Sequence, residues 1–177
     1  RPELDIRHTA DGRWLVAGLA LGTSGSKDQP VADWLFSQHE VVVRGGTLRW
    51  TSERAHQSSG GQNPQDAPTL ALTDVDLVLR NPLHQHLLRL DATPPPEWGE
   101  RFVLMGHFQR GLLSTHAGQF KDWNGQAYAW FPQVDVSRLR QHLQLGTDLQ
   151  SGQGRLRLWT DIAQGEWAGG TADMDLR

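Results

Sequence analysis

Alternation of apolar and polar residues runs through most of the chain, which is the pattern of β-strands with one buried face. Residues 41–52 show it most clearly, because a β-branched run leads to Gly45-Gly46, after which Leu48 and Trp50 alternate with polar side chains. Adjacent glycines accept the positive φ angles of a two-residue turn. The stretch therefore predicts a β-hairpin with one apolar and one polar face.

The same pattern predicts strands along the rest of the chain. They are expected at residues 4–8, 14–21, 69–80, 101–109, 123–134, 154–160 and 167–176, with a return strand through Leu88 and Leu90. Turn residues separate them at 11–13, 81–82 and 163–165. In the run 69–80 the apolar positions slip by one residue between Leu72 and Val75, which predicts a β-bulge near Thr73-Asp74.

Two short stretches have helical rather than strand spacing. Pro30 is a favoured first helical residue and precedes apolar residues three or four positions apart, so a helix is predicted over residues 30–38. Asp135 is a suitable N-cap for a second helix over residues 135–143. Residues 53–68 have no period and few large apolar side chains, and they are predicted to form a loop.

Predicted strands far outnumber the two predicted helices, and most connections between them are tight. This favours a mainly β fold: a single curved antiparallel meander sheet, in the form of a β-groove or open half-barrel, with two short helices. A length of 177 residues suits one domain, residues 1–177. A short echo between residues 45–51 and 152–160 suggests two hairpin–helix–hairpin modules, at about residues 1–53 and 101–177, joined by a central hairpin.

Composition argues against several classes of protein. The formal net charge is −3 and the 17 Lys and Arg residues are scattered, which is unlike a nucleic-acid platform. Cysteine is absent, so neither disulfides nor thiol chemistry contribute. No apolar run approaches the roughly 20 residues of a membrane-spanning helix. Both ends of the chain fall inside alternating runs, and we expect it to be a segment of a longer protein.

Candidates for catalysis or metal binding have simpler explanations. Residues 84–86 read His-Gln-His and place two imidazoles on one strand face, but the spacing fixes no third ligand. Two carboxylate pairs, Asp74 with Asp76 and Asp173 with Asp175, alternate with apolar residues. This is the pattern of the solvent-exposed face of a strand. The sequence therefore predicts no catalytic residue, no metal site and no cofactor.

Tryptophan is abundant, and its role is open at the level of sequence. The eight residues are Trp14, Trp34, Trp50, Trp98, Trp123, Trp130, Trp159 and Trp167. They could form an exposed stacking platform in a carbohydrate-binding β-sandwich, or fill an ordinary core. A third interpretation is an apolar face left uncovered, which lines a groove for an acyl chain.

The order of the segments resembles a known family. It begins with Asp11-Gly12-Arg13-Trp14 and continues through the patterned runs 41–50 and 68–81. The sequence then has Pro94-Pro95-Pro96-Glu97-Trp98-Gly99-Glu100, Trp123-Asn124-Gly125-Gln126-Ala127-Tyr128 and the closing runs 151–161 and 171–177. Over nearly its whole length the chain resembles the AsmA-like family, and more narrowly the large YhdP-type proteins of Gram-negative bacteria.

The resemblance implies a function in lipid transport. Proteins of this type are anchored in the inner membrane, and their periplasmic part is a repeating β-groove that carries phospholipids towards the outer membrane. The chain is then expected to be a periplasmic segment without the anchor, and not an enzyme. Its expected partners are phospholipid acyl chains and adjacent repeats of the same full-length chain, paired through its edge strands. A carbohydrate-binding β-sandwich and a purely structural envelope segment are the alternatives.

The candidate lipid-binding residues are apolar positions that recur at period two in successive hairpins. A meander aligns such positions into one continuous stripe. They are Leu48, Trp50, Leu70, Leu72, Leu77, Leu79, Leu88, Leu90, Phe102, Leu104, Tyr128, Trp130, Leu156 and Leu158.

Overall fold

A computed structural model describes residues 1–21, 30–58, 60–61, 63, 66–139 and 152–177. Its strands are β1 (Glu3–His8), β2 (Trp14–Val16), β3 (Leu19–Leu21), β4 (Glu40–Ser52), β5 (Thr69–Arg80), β6 (Gln85–Thr93), β7 (Phe102–Arg110), β8 (Trp123–Asp135), β9 (Gln153–Ala163) and β10 (Glu166–Leu176). The α-helices are α1 (Pro30–Ser37), α2 (Glu53–Ser58) and α3 (Val136–Leu139), and Phe120–Asp122 forms a 3₁₀ turn.

All ten strands belong to one sheet, in the order β10-β9-β8-β7-β6-β5-β4-β1-β2-β3. The outermost strands, β3 and β10, do not pair with each other, so the sheet is open rather than closed into a barrel. From β4 to β10 every strand pairs antiparallel with the next one along the chain. The predicted mainly β fold with a single open sheet is confirmed.

The prediction that the sheet is wholly antiparallel is wrong at one position. Strand β1 pairs in parallel with β4, from Glu3 opposite Thr47 to His8 opposite Ser52. Because β1 also pairs antiparallel with β2, the N-terminal strand lies inside the sheet and is not an edge. The edge strands among the described residues are β3 and β10.

The predicted hairpin at Gly45-Gly46 is also wrong. Strand β4 continues through both glycines for 13 residues, and β5 and β1 lie on its two sides. Gly45 has a φ of +58° and marks a bulge, where the register with β5 shifts between Val43 and Leu48. A positive φ suits a glycine in a turn or in a bulge, so the local sequence cannot distinguish the two.

The bulge predicted near Thr73-Asp74 is confirmed. Asp74 has a φ of +47°, and the register between β5 and β6 shifts between Thr73 and Asp76. This bulge lies beside the one at Gly45, since Gly46 pairs with Val75. Each bulge inserts one residue, so the apolar side chains before and after it stay on the same face of the sheet.

Asp76 links the two bulges from the face of the sheet opposite these apolar side chains. Its Oδ1 accepts a hydrogen bond of 3.0 Å from the backbone N–H of Gly45, and its Oδ2 lies 2.9 Å from Nη2 of Arg101. Arg101 also donates through Nη1 to the carbonyl oxygen of Asp74, at 2.6 Å. Asp76 therefore satisfies the N–H group that the irregular register leaves without a ladder partner.

We expect Asp76→Ala to lower the free energy of unfolding by about 1–2 kcal/mol, because the Gly45 N–H loses its acceptor. Asp173→Ala, at an exposed strand position on β10, is the matched control and should cost less than about 0.5 kcal/mol. Urea unfolding followed by circular dichroism measures both. Equal unfolding midpoints for the two variants would contradict this role of Asp76.

The predicted helices are confirmed where the structure describes them. Helix α1 begins at Pro30, and α3 follows Asp135, whose Oδ1 accepts a hydrogen bond of 2.9 Å from the backbone N–H of Ser137. The rest of the second predicted helix, residues 140–143, lies outside the described residues.

Two further segments differ from the prediction. Residues 53–68 were predicted as a loop, but α2 begins there directly after β4. Glu53 in its first turn accepts a hydrogen bond of 3.1 Å from the backbone N–H of Ala10. A contact between residues distant in the sequence therefore holds the start of this helix in place.

The predicted strand 14–21 is divided into β2 and β3 by a turn at Ala17 and Gly18, both of which have positive φ.

Candidate functional site

One face of the sheet, here called the groove face, carries continuous rows of apolar side chains. Strand pairing sets them side by side, because directly opposed residues point to the same face. Three such rows are Leu4-Leu48-Leu72, Ile6-Trp50-Leu70 and Leu77-Leu90-Leu104-Ala129-Leu158. The rows run across the strands, so the apolar surface extends along the order of strands in the sheet.

The groove face lines a cavity of about 360 Å³. It is lined by Ile6, Trp14, Leu48, Trp50, Leu70, Leu72, Leu90, Pro94, Trp98, Glu100, Phe102, Leu104, Ala129, Phe131, Gln133, Val134 and Leu158. Strands β1 and β9 both contribute residues to the lining, although six strand-to-strand steps separate them in the sheet. In a flat sheet these six steps would span about 29 Å. A single cavity reaches both strands because the sheet curls around it.

The apolar residues differ in how deeply they are buried. Leu48, Leu70, Leu72, Phe102, Phe131 and Leu156 are buried and belong to one packed cluster. Trp50, Leu90, Leu104, Ala129 and Leu158 pack against this cluster but remain partly exposed. The buried group supplies the stability of the sheet, whereas the partly exposed group presents apolar surface to the cavity.

The segment 94–100 closes one side of the cavity, where Pro94, Trp98 and Glu100 line it. Its backbone is hydrogen-bonded to the end of β8. The N–H of Glu100 donates to the carbonyl of Gln133 at 3.0 Å, and the N–H of Asp135 donates to the carbonyl of Trp98 at 2.9 Å. Gly99 has a φ of +139°, and a Cβ at this position would lie 1.9 Å from the Gln133 oxygen. Only glycine permits this close approach, which holds the Trp98 ring over the cavity.

An aromatic cluster lies beneath α1 and contains Phe36, His86, Phe108, Phe120 and Trp123. The His86 and Trp123 rings stack with centroids 4.1 Å apart, and Phe36 meets both edge-on at 5.3 and 4.7 Å. His86 pairs with Phe108 two positions along β6 from Leu88, so the cluster continues the groove face.

Helix α1 is held over this cluster by polar contacts. Asp33 accepts a hydrogen bond of 2.7 Å from the backbone N–H of Gly118 and lies 2.8 Å from Nδ1 of His116. Just beyond the helix, the side-chain amide of Asn81 donates to the carbonyl of Gln38 at 2.7 Å. These contacts fix a helix whose own sequence is too short to be stable alone.

His86 is the most perturbed titratable group of the groove face. Its side chain is 1% exposed, and its Nδ1 lies 2.7 Å from Oδ1 of Asn81. Burial, and secondarily the positive charge of Arg110, lower the pKa of His86 to about 4. The imidazole is therefore neutral near pH 7, so Nδ1 carries the proton when it donates to Asn81.

Neither a family model, nor a curated protein, nor a solved structure matches the chain. Among the described residues, no helix is both long and apolar enough to cross a membrane. In the same part of the chain, no three His, Asp or Glu side chains are grouped so as to hold a metal ion.

The structure brings most of the candidate stripe together. Eight of the predicted residues line the cavity: Leu48, Trp50, Leu70, Leu72, Leu90, Phe102, Leu104 and Leu158. Leu156 lies in the buried cluster beside them. Leu77, Leu79 and Leu88 are on the groove face by register, since Leu77 pairs with Leu90 and Leu79 with Leu88, but they lie outside the cavity lining.

Tyr128 and Trp130 were predicted to lie on the groove face, and this is wrong. Leu104 pairs with Ala129, so the residues on either side of Ala129 point to the opposite face, here called the outer face. There Tyr128 packs against the Trp159 ring at 5.4 Å, and the Arg157 guanidinium lies 4.5 Å from the Trp130 ring. Both faces of β8 carry apolar residues, and the prediction assigned the larger set to the groove.

Other lining residues were missed by the sequence prediction. Ile6 and Phe131 belong to alternating runs, and their spacing could have identified them. Trp98 lies in a proline-rich connection without a period, so no local signal places its ring in the cavity.

Proposed function

We propose that the chain is a β-groove segment that binds the acyl chains of phospholipids on its groove face. The observation that supports this most directly is the chemistry of the cavity wall, where Glu100 and Gln133 are the two polar side chains among residues otherwise apolar. Such a wall has no Lys, Arg or His side chain and so offers no partner for an anionic substrate. It does offer a favourable surface for hydrocarbon.

The energetics suit a lipid carrier. Each buried CH₂ group gains roughly 0.8 kcal/mol, so part of an acyl chain gains several kcal/mol. The rows of apolar residues cross the strands without interruption by a charge, so an acyl chain can slide from one row to the next at little cost. The phosphate head group stays in water at the open side of the groove.

The resemblance to the AsmA-like family extends the proposal to the cell envelope. The chain would be a periplasmic segment of an inner-membrane-anchored protein that carries phospholipids between the inner and outer membranes, and it would not be an enzyme. Adjacent repeats would pair with the edge strands β3 and β10, which continues the groove beyond this segment. The alternative of a carbohydrate-binding β-sandwich is less well supported, because a sandwich needs two packed sheets and the described strands form one.

Quenching of tryptophan fluorescence by phosphatidylethanolamine with brominated acyl chains, supplied as vesicles, tests the proposal. Trp14, Trp50 and Trp98 line the cavity, whereas Trp130 and Trp159 lie on the outer face. We expect quenching in the wild-type protein and its loss in the Trp14→Phe/Trp50→Phe/Trp98→Phe variant. The Trp130→Phe/Trp159→Phe variant is the matched control and should still be quenched.

Two results would contradict a lipid-binding groove. Absence of quenching in the wild-type protein would favour a purely structural segment. Equal quenching in the triple cavity variant and the double outer-face variant would place the lipid outside the cavity.

A further inference from the structure

The outer face carries a second concave surface, which the groove does not use. A depression of about 750 Å³ lies over two cross-strand rows of side chains. One row is Val78-Arg89-Met105-Tyr128-Trp159-Thr171 and the other is Arg80-Leu87-His107-Gln126-Asp161. We call these two rows the outer platform.

The first row gives the outer platform an aromatic floor. Tyr128 and Trp159 lie side by side with ring centroids 5.4 Å apart and planes inclined at 49°. Trp159 is 42% exposed and the adjacent Met105 is 38% exposed. The floor therefore offers accessible ring surface on a rigid sheet, which costs little entropy to present to a ligand.

The second row places planar polar groups along the edge of that floor. Gln126 Nε2 donates to Asp161 Oδ1 at 2.9 Å, which fixes both side chains. The amide retains a second N–H and its carbonyl oxygen, and the carboxylate retains Oδ2. A ligand on the rings thus meets oriented donors and acceptors on one side.

The two arginines of the outer platform are paired with carboxylates of the protein itself. Arg89 makes two hydrogen bonds to Asp91, at 2.7 and 3.0 Å, and Arg80 lies 2.7 Å from Glu40. Because these guanidinium groups already have carboxylate partners, the surface is not suited to an anionic ligand such as a nucleic acid or an acidic peptide.

We propose that the outer platform binds a neutral oligosaccharide. A pyranose ring has an apolar face of C–H groups that stacks on aromatic rings, and hydroxyl groups at its edge that bond to amides and carboxylates. The platform supplies both in adjacent rows, and its arginines already have carboxylate partners. This inference does not depend on the lipid-binding groove, which lies on the other face of the sheet.

Saturation-transfer NMR with chitotetraose and maltotetraose as probes tests this inference on the full chain. We expect transfer to the ring C–H protons of at least one probe, with a dissociation constant on the order of 1 mM. Trp159→Ala should weaken that binding by about tenfold or more, because the stacking surface is lost. Gln126→Ala should weaken it by roughly threefold and serves as a second variant at an edge position.

The control is Trp167→Ala, because Trp167 is 71% exposed but lies outside the outer platform. It should leave oligosaccharide binding unchanged, and Trp159→Ala should leave quenching by brominated lipid unchanged. The proposal is overturned if neither probe binds at about 10 mM. It is also overturned if Trp159→Ala and Gln126→Ala, both folded by circular dichroism, bind as tightly as the wild-type protein.

Discussion

Leu156→Asp is expected to unfold the protein, whereas Leu104→Asp is expected to leave the sheet folded and abolish lipid binding. Leu156 is 4% exposed and packs within the buried cluster, so an aspartate there would be an unpaired buried carboxylate costing more than about 4 kcal/mol. Leu104 is partly exposed and lines the cavity. A charge at Leu104 can remain hydrated at the open side of the groove and should cost about 1–3 kcal/mol.

Thermal unfolding and lipid photo-crosslinking together distinguish the two variants. The crosslinking probe is placed at Phe102, two residues from Leu104 on the same face of β7. Met105→Asp is the matched control, because it introduces the same charge one residue away on the outer face, where Met105 is 38% exposed. It should preserve both the fold and the lipid crosslinks.

Each alternative outcome has a clear meaning. If Leu104→Asp unfolds the protein as completely as Leu156→Asp, the groove face is an ordinary closed core. If Leu104→Asp folds and still crosslinks lipid at the wild-type level, the acyl chain does not pass Leu104, and the proposed path is wrong.

The second large effect is expected on acidification. The pKa of His86 is about 4 in the folded protein and about 6.5 in the unfolded chain, so the unfolded state binds the proton first as the pH falls. Stability should therefore be full above about pH 6.5 and fall by about 3 kcal/mol as the pH is lowered to 4. Below pH 4 the His86 contribution no longer changes. Burial and Arg54 also lower the pKa of His8, which adds a loss of the same sign.

Urea unfolding between pH 7 and pH 4 measures the contribution of His86. His86→Phe keeps an aromatic ring between Phe36 and Trp123 but has no titratable nitrogen, so its stability should depend much less on pH over this range. The variant should also be slightly less stable at pH 7, because Asn81 loses its hydrogen-bond partner. His39→Gln, at an exposed position, is the control and should retain the wild-type pH dependence. Equal pH dependence in the wild-type and His86→Phe proteins would exclude His86 as the source.

Local signals in the sequence predicted the strands from β5 to β10 and the two tight hairpins among them, β5–β6 and β9–β10. Alternation places residues on two faces, and a short turn leaves the strands that it joins little choice of partner. The bulge at Asp74 was visible as a slip in the alternation, and the cap at Asp135 as a carboxylate before a helical run. These features depend on residues that are close in the sequence.

The tertiary structure alone decided how β1 is paired and which face of β8 lines the groove. Glu3 pairs with Thr47 across 44 positions in the sequence, and no local pattern specifies a parallel partner so distant. Alternation divides β8 into one set with Ala129 and another with Tyr128 and Trp130, but both sets are apolar. Side-chain packing decides between the two sets, because Leu104 and Leu158 flank Ala129 and fill the groove beside it. The sequence thus determined a sheet with an apolar face, and long-range packing determined where that face becomes a cavity.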